Sequence, residues 1–299
     1  MTHHPDVEKL LPFFRDHGPP KDGELPDVRA GFDKMIEFFK PAPDDKVTEG
    51  TLGGVRVTRV QGPGANARKV LLFFHGGGYL VGSSKAFAGF AGALARSFGG
   101  RAIAVDYRLA PENKFPTAVD DCVAAYRGLV AEGVRPEQIA LAGDSAGGAL
   151  SVAVLLSLRD AKQPLPSCAV LISPWTDHEM QSKSHSTNAE RDPDVTKQML
   201  DAFTGAYLQG QSPRSPLVAP LHADLRGLPP LLIQVGSAEI LLDDSLRLAS
   251  VAAHANVSVT LQVWPDMIHD WPVFSHTVSD GPRAIAAAGA FIAANIGKR

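Results

Sequence analysis

From about residue 54 onward the chain alternates short apolar runs with longer alanine-rich stretches. Four runs contain no charged or amide side chain: Val70-Leu71-Leu72-Phe73-Phe74, Ala102-Ile103-Ala104-Val105, Cys168-Ala169-Val170-Leu171-Ile172 and Leu231-Leu232-Ile233. Continuous rather than alternating hydrophobicity is what a central strand covered on both faces requires. These runs and their shorter companions predict strands at 54–61, 69–75, 101–106, 138–143, 167–173, 230–236 and 258–264. Between them the Ala, Leu and Val positions predict helices at about 86–98, 117–132, 146–160, 241–255 and 279–296. Strand and helix taking turns in this way build a mainly parallel sheet with helices on both faces, an α/β fold.

Two stretches break the rhythm. The first 45 residues carry Pro and Gly around one helical stripe, Val28, Phe32, Met35, Ile36 and Phe39. The segment 174–229 is polar and Pro-rich, with a helix expected over 195–207. An insertion of that length after a core strand is usually functional or disordered. The two stretches are expected to pack together as a cap over the end of the sheet. Phe13, Phe14, Phe32, Phe38 and Phe39 then either shape its mouth or fill its core.

Composition narrows the classes. With 299 residues, 44% hydrophobic and 20% charged, the chain has ample material for a core. The net charge of −3 offers no basic footprint for nucleic acid. No apolar run approaches the roughly 18 residues of a membrane span. The start, Met1-Thr2-His3-His4-Pro5-Asp6, lacks the basic and apolar regions of a secretory signal, so a cytoplasmic protein is expected. Cys122 and Cys168 are too few for a disulfide framework and read as buried thiols. No H-E-x-x-H or C-x-x-C occurs, so no metal site is expected.

The candidate chemistry begins at Gly143-Asp144-Ser145-Ala146-Gly147, a G-x-S-x-G motif between a predicted strand and a predicted helix. Its glycines permit a tight strand-to-helix turn that presents the Ser145 hydroxyl, and the helix N-terminus favours developing negative charge. The bland alternative is a serine cap on a Gly-rich turn. A second block, His75-Gly76-Gly77-Gly78, ends the strand 69–75. Stripped of side chains, such a loop lets backbone N–H groups converge on an oxyanion; Gly77, Gly78 and Ala146 are the expected donors. A phosphate cradle would instead need G-K-[ST] or an in-frame G-x-G-x-x-G, and neither is present. His75 reads as a structural brace of the loop.

These blocks, together with Asp106-Tyr107-Arg108-Leu109-Ala110-Pro111-Glu112, Phe115-Pro116 and the Ile268-His269 segment, resemble the hormone-sensitive-lipase group of α/β-hydrolases, the bacterial family IV esterases. The resemblance covers roughly residues 45 to 299. It implies residues 1–45 as an N-terminal cap segment and 46–299 as an α/β-hydrolase catalytic domain with a cap insertion at about 176–220. It further implies a Ser–acid–His triad, hydrolysis of short- to medium-chain carboxylic esters as small-molecule substrates, and no cofactor. Pairing of two copies through the edge strand and the last helix is implied as well.

In this fold the acid and then the histidine follow the serine along the chain. His269, five residues past the strand 258–264, is the expected base. The acid lies in Gly236-Ser237-Ala238-Glu239-Ile240-Leu241-Leu242-Asp243, where the family's Asp-x-Leu-x-Asp reads Glu239-Ile240-Leu241-Leu242-Asp243. Glu239 is the first choice and Asp243 the second. Asp144 is expected to anchor the turn beside the pocket, and Tyr79 and Trp271 either line the pocket or pack in the core. Arg108 and Glu112, four apart, are candidates for an ion pair. Two other functions share the fold: a non-catalytic small-ligand receptor, and a deacetylase or amidase using the same triad.

Overall fold

A computed structural model describes residues 3–20 and 23–298. Eight strands form one sheet in the order β1-β2-β4-β3-β5-β6-β7-β8. They are β1 (Lys46–Leu52), β2 (Val55–Gln61), β3 (Val70–Phe74), β4 (Arg101–Val105), β5 (Ile139–Asp144), β6 (Cys168–Ile172), β7 (Leu231–Gly236) and β8 (Val259–Trp264). β1–β2 and β2–β4 pair antiparallel, and every later pair is parallel. All seven predicted strands and all five predicted helices are present within two residues at each end.

The continuous apolar runs are buried on both faces, as their composition demands. Val70, Leu72 and Phe74 of β3 enter one cluster with α4 (Thr117–Ala131), α5 (Ala146–Asp160) and α8 (Leu242–His254). Leu71 and Phe73 enter the other, with α3 (Ala88–Ser97) and α9 (Gly281–Asn295). Four of the strands, β3, β5, β6 and β7, are buried along their whole length.

The strand missing from the sequence reading is β1. Six of its seven residues are exposed, so it carries no core-facing pattern. Its signal was the turn: Gly53 and Gly54 both have positive φ, 59° and 85°, and link Leu52 to its partner Val55 in a two-residue hairpin. A first N-terminal helix, α1 (Pro5–His17), was also missed, because Pro5 and Pro12 read as punctuation. Pro at a helix start is compatible with the fold, since its absent N–H had no partner to lose. The expected stripe at 28–39 is α2 (Leu25–Ile36) with the turn after it.

The two irregular stretches do not simply lie on one another. α1 docks through buried Asp6, which accepts from Ser279 N at 2.9 Å, and through Phe13, Phe14 and Phe39 packed around Phe274. Arg29 ties α2 to the loop after β3 by donating to Leu80 O, and to the segment after β4 by donating to Ala110 O and Glu112. The second stretch contains α6 (Ser184–Thr187) and α7 (Lys197–Leu208). It reaches the segment after β4 from its own side: Phe115 N donates to Tyr207 O, and Gln209 donates to Pro111 O at 2.6 Å.

The expected Arg108–Glu112 pair is not formed. Residues 106–116 are not helical, so side chains four apart do not share a face. Arg108 instead grips buried Asp121 of α4, Nη2 to Oδ1 at 2.7 Å, and Glu112 pairs with Arg29 at 2.7 Å. Among the described residues, no helix is long and apolar enough to cross a membrane.

Candidate active site

Ser145 sits between β5 and α5 with φ 52° and ψ −118°, a conformation L-residues rarely adopt. The surroundings over-determine it: Ser145 N donates to Ile172 O at 2.9 Å, and its carbonyl accepts from Trp175 N and Gly148 N. Glycine is required on both sides. A Cβ at Gly143 would strike the carbonyl of Gly147, and one at Gly147 the carbonyl of Phe74. The hydroxyl is therefore held at the N-terminus of a 15-residue helix that is buried on nearly every side.

The glycine loop lies against it. A Cβ at Gly76 would come within 3.3 Å of Ser145 Cβ. Gly76 N donates to Asp144 Oδ2 at 3.0 Å, so Asp144 anchors the loop to the turn, the role expected of it. Gly77, Gly78 and Tyr79 all have positive φ, and the Gly77 carbonyl closes the turn by accepting from Leu80 N and Val81 N at 3.0 Å. The N–H groups of Gly77 and Gly78 take no part in those turn bonds. His75 is buried, stacks on Tyr107 with ring centroids 4.2 Å apart, and meets Gly76 O at 2.7 Å. Burial holds its pKa down at about 4, so it stays neutral, consistent with a brace.

Glu239 and His269 meet. Glu239 Oε2 lies 3.3 Å from His269 Nδ1, while its other oxygen accepts from Ser173 Oγ at 2.7 Å and from Gly236 N. Both side chains are buried. Burial pushes Glu239 up to about 7, although His269 pulls the other way. Burial would lower His269, but the carboxylates of Asp270 and Glu239 overturn that and hold it well above the ordinary imidazole range. Asp243, the second choice, is elsewhere: at the start of α8 its Oδ2 accepts from Ser184 N at 3.0 Å.

Of the two aromatic candidates, Tyr79 is on the site side. Its ring stacks on Tyr207 of α7 at 3.8 Å between centroids, with Trp175 at 5.9 Å. Trp271 is not a wall of this space: it is fully buried in the cluster on the opposite face of the sheet, against Trp264. Sequence reasoning missed three contributors. Ser173 at the end of β6 bridges Glu239 and Asp270 N. Asp270, the residue after the histidine, places Oδ2 3.0 Å from His269 Nε2. Phe203 of α7 covers the glycine loop so closely that a Cβ at Gly78 would enter its ring. The first two were legible as neighbours of named residues; the third depends on how the insertion folds.

One set of three potential metal ligands exists among the described residues, Asp177, His185 and Asp244. Its donors are already used. Asp244 Oδ1 accepts from Thr176 N and Asp177 N, and its Oδ2 meets His185 Nε2 at 3.0 Å. Asp177 Oδ2 takes Ser182 N and the Arg247 guanidinium at 2.6 Å. A cation would have to displace that guanidinium, so the cluster is a joint between the insertion and α8 rather than a metal centre.

Comparison with known proteins agrees with this architecture. A family model described as the alpha/beta hydrolase fold matches residues 71–273. An acetyl-hydrolase of Streptomyces hygroscopicus is 41% identical over 96% of each chain, and an esterase of Acinetobacter venetianus is 34% identical over 87% of this chain and 86% of its own. The solved structure of an esterase from the bacterial hormone-sensitive lipase family superposes with a TM-score of 0.96 at 41% identity, covering 99% of this chain and 100% of that one. A hormone-sensitive lipase from a metagenome library gives 0.94 at 38% identity, covering 99% and 100%. By sequence and by fold alike, the chain belongs to the α/β-hydrolase family and, within it, to the bacterial hormone-sensitive-lipase family.

Proposed function

We propose that this protein is a serine carboxylesterase in which Ser145, His269 and Glu239 form the triad. The observation that carries the reading is the serine held in a strained turn at a helix N-terminus, with a side-chain-free loop packed against it. Ser145 Oγ attacks the ester carbonyl as its proton passes to His269 Nε2. Glu239 on Nδ1 fixes the tautomer and stabilises the imidazolium. The N–H groups of Gly77, Gly78 and Ala146 receive the oxyanion. The imidazolium then protonates the leaving alcohol, and water releases the acyl group by the same route in reverse.

The preferred acyl group is short. Aromatic rings crowd the site, with Tyr79 on Tyr207 at 3.8 Å, Trp175 against His178 at 4.1 Å, and Phe203 over Gly78. Residues 1–45 and 176–220 serve as the cap, both tied to the segment after β4. A homodimer through β8 and α9 is part of this reading, supported by β8 being hydrogen-bonded on one side only and exposing Val263. The name of the 41% identical acetyl-hydrolase favours a second reading, removal of acetyl groups from a larger molecule by the same triad.

Hydrolysis of p-nitrophenyl esters from acetate to palmitate, wild type beside Ser145→Ala, tests the proposal. Fast turnover of short chains that vanishes in the variant is expected. Turnover that survives the substitution sinks it. A folded protein that turns over no ester yet is labelled by a fluorophosphonate favours an amide- or sugar-specific enzyme using the same triad, and one that is not labelled favours a ligand receptor.

A further inference from the structure

The residue after the proposed base is an aspartate, and nothing in the triad reaction requires one. Asp270 nevertheless stands at the nitrogen that must receive the serine proton, Oδ2 to Nε2 at 3.0 Å. It adopts the left-handed conformation, φ 51°, and its backbone N–H donates to Ser173 Oγ at 3.2 Å. The same hydroxyl donates to Glu239 at 2.7 Å, so one serine registers both carboxylates on the imidazole. The second oxygen, Oδ1, is buried without a hydrogen-bond partner. A neutral imidazole whose Nε2 lone pair is free for a proton is disfavoured beside such an acceptor; an imidazolium is favoured.

We propose that Asp270 is a positioning residue that sets the proton state of His269, favouring the imidazolium formed during attack over the free base. The proposal rests on the reading of Ser145 and His269 as nucleophile and base. The proton balance is simple. As the Ser145 Oγ–carbonyl bond forms, the Oγ–H bond breaks and its proton goes to the Nε2 lone pair. The cation then lies between Glu239 at Nδ1 and Asp270 at Nε2, until the proton leaves with the departing alcohol. Stabilising the cation speeds this step only in molecules whose histidine starts neutral.

The groups that face the ring are all acidic. Beside Asp270 and Glu239 they are Asp144 at the end of β5 and Asp192 and Asp194 in the stretch before α7. Burial and the neighbouring Asp270 raise the Asp144 carboxyl well above the ordinary carboxylate range, and burial raises Asp194 to about 7. Asp192 is occupied by the N–H groups of Asp194, Val195 and Ile240. Asp270 is therefore the one of these, with Glu239, in direct contact with the imidazole.

The test is the pH dependence of kcat/KM for p-nitrophenyl butyrate in the wild type and in Asp270→Asn. Asparagine tolerates the left-handed backbone and keeps the size of the side chain. The wild type should show an acid limb above the ordinary histidine value of about 6.5. In the variant the limb should move down by about one unit while the alkaline plateau falls several-fold, so the two curves cross. The variant is then the faster enzyme at pH 6 and the slower at pH 9. An unmoved limb, or a uniform loss at every pH, overturns the proposal. Titration of the His269 ring resonances in the wild type reads the same quantity without a variant, and a midpoint at or below 6.5 overturns it equally. A wild type that is inactive, or a Ser145→Ala variant that is not, would instead defeat the triad reading itself.

Discussion

Two buried histidine–carboxylate clusters lie at the same end of this sheet, and they are built from the same residue types. In each, Nε2 of a buried histidine meets an aspartate Oδ2 at 3.0 Å: His185 with Asp244, and His269 with Asp270. They differ in how completely their carboxylate oxygens are satisfied, although His185 Nδ1 is also buried without a partner. Around Asp244 and Asp177 backbone N–H groups and a guanidinium occupy the oxygens. Around His269, Asp144 Oδ1 and Asp270 Oδ1 have no partner, and like charges crowd together. Carboxylates saturated in this way make a rigid joint, whereas unsaturated ones hold poised protonation states, which is what chemistry needs.

The comparison can be broken most decisively at Ser145. Ser145→Ala should lower kcat/KM by roughly 10⁴- to 10⁶-fold with an unchanged thermal midpoint. A parallel drop in the midpoint would show that the strained turn serves the fold more than the reaction. At the acid, Glu239→Gln should cost on the order of 10² to 10⁴ in kcat, because the ring loses its orienting charge. Asp243→Asn should change it less than about threefold. Reversed magnitudes would move the acid to Asp243.

The saturated cluster should respond in stability instead. His185→Ala leaves the Asp244 carboxylate buried without its imidazole and should cost about 3–5 kcal/mol in urea denaturation. The folded fraction should keep near-wild-type kcat/KM; a catalytic loss at full stability would erase the distinction between the clusters. The smallest effect concerns acid. Burial alone would raise the Asp177 carboxyl, but Arg247 and the N–H donors overturn that and hold it below the ordinary value. A depressed folded value means that stability is present above the unfolded pKa of about 3.9 and is lost as pH falls through the folded one. Arg247→Met should flatten that part of the stability–pH curve by about 1 kcal/mol, and an unaltered curve would show that the guanidinium contributes nothing there.

The sheet was legible because continuous apolar runs have few other uses, and Ser145 because its motif lay at a strand–helix junction. β1 escaped because an exposed edge strand needs no apolar face, and α1 because Pro12 lies inside it, where proline usually ends a helix. The placement of Glu239 beside His269 followed from loop order along parallel strands. Trp271 did not: a tryptophan two residues past the histidine has two faces of the sheet to choose between, and only packing decides. The saturated cluster was invisible for a similar reason, since Asp177, His185 and Asp244 come together across 67 residues through backbone donors that a sequence does not display.

Phe203 and Gly78 carry a last consequence. Because the ring fills the space that a Cβ at 78 would need, residue 78 cannot grow while the aromatic at 203 stays. Any lineage that enlarges residue 78 must first surrender the aromatic at 203, whereas the reverse order passes through a clash in the glycine loop. Diversification of this enzyme is therefore directional: new selectivity enters through the insertion, and the glycine loop can follow but not lead.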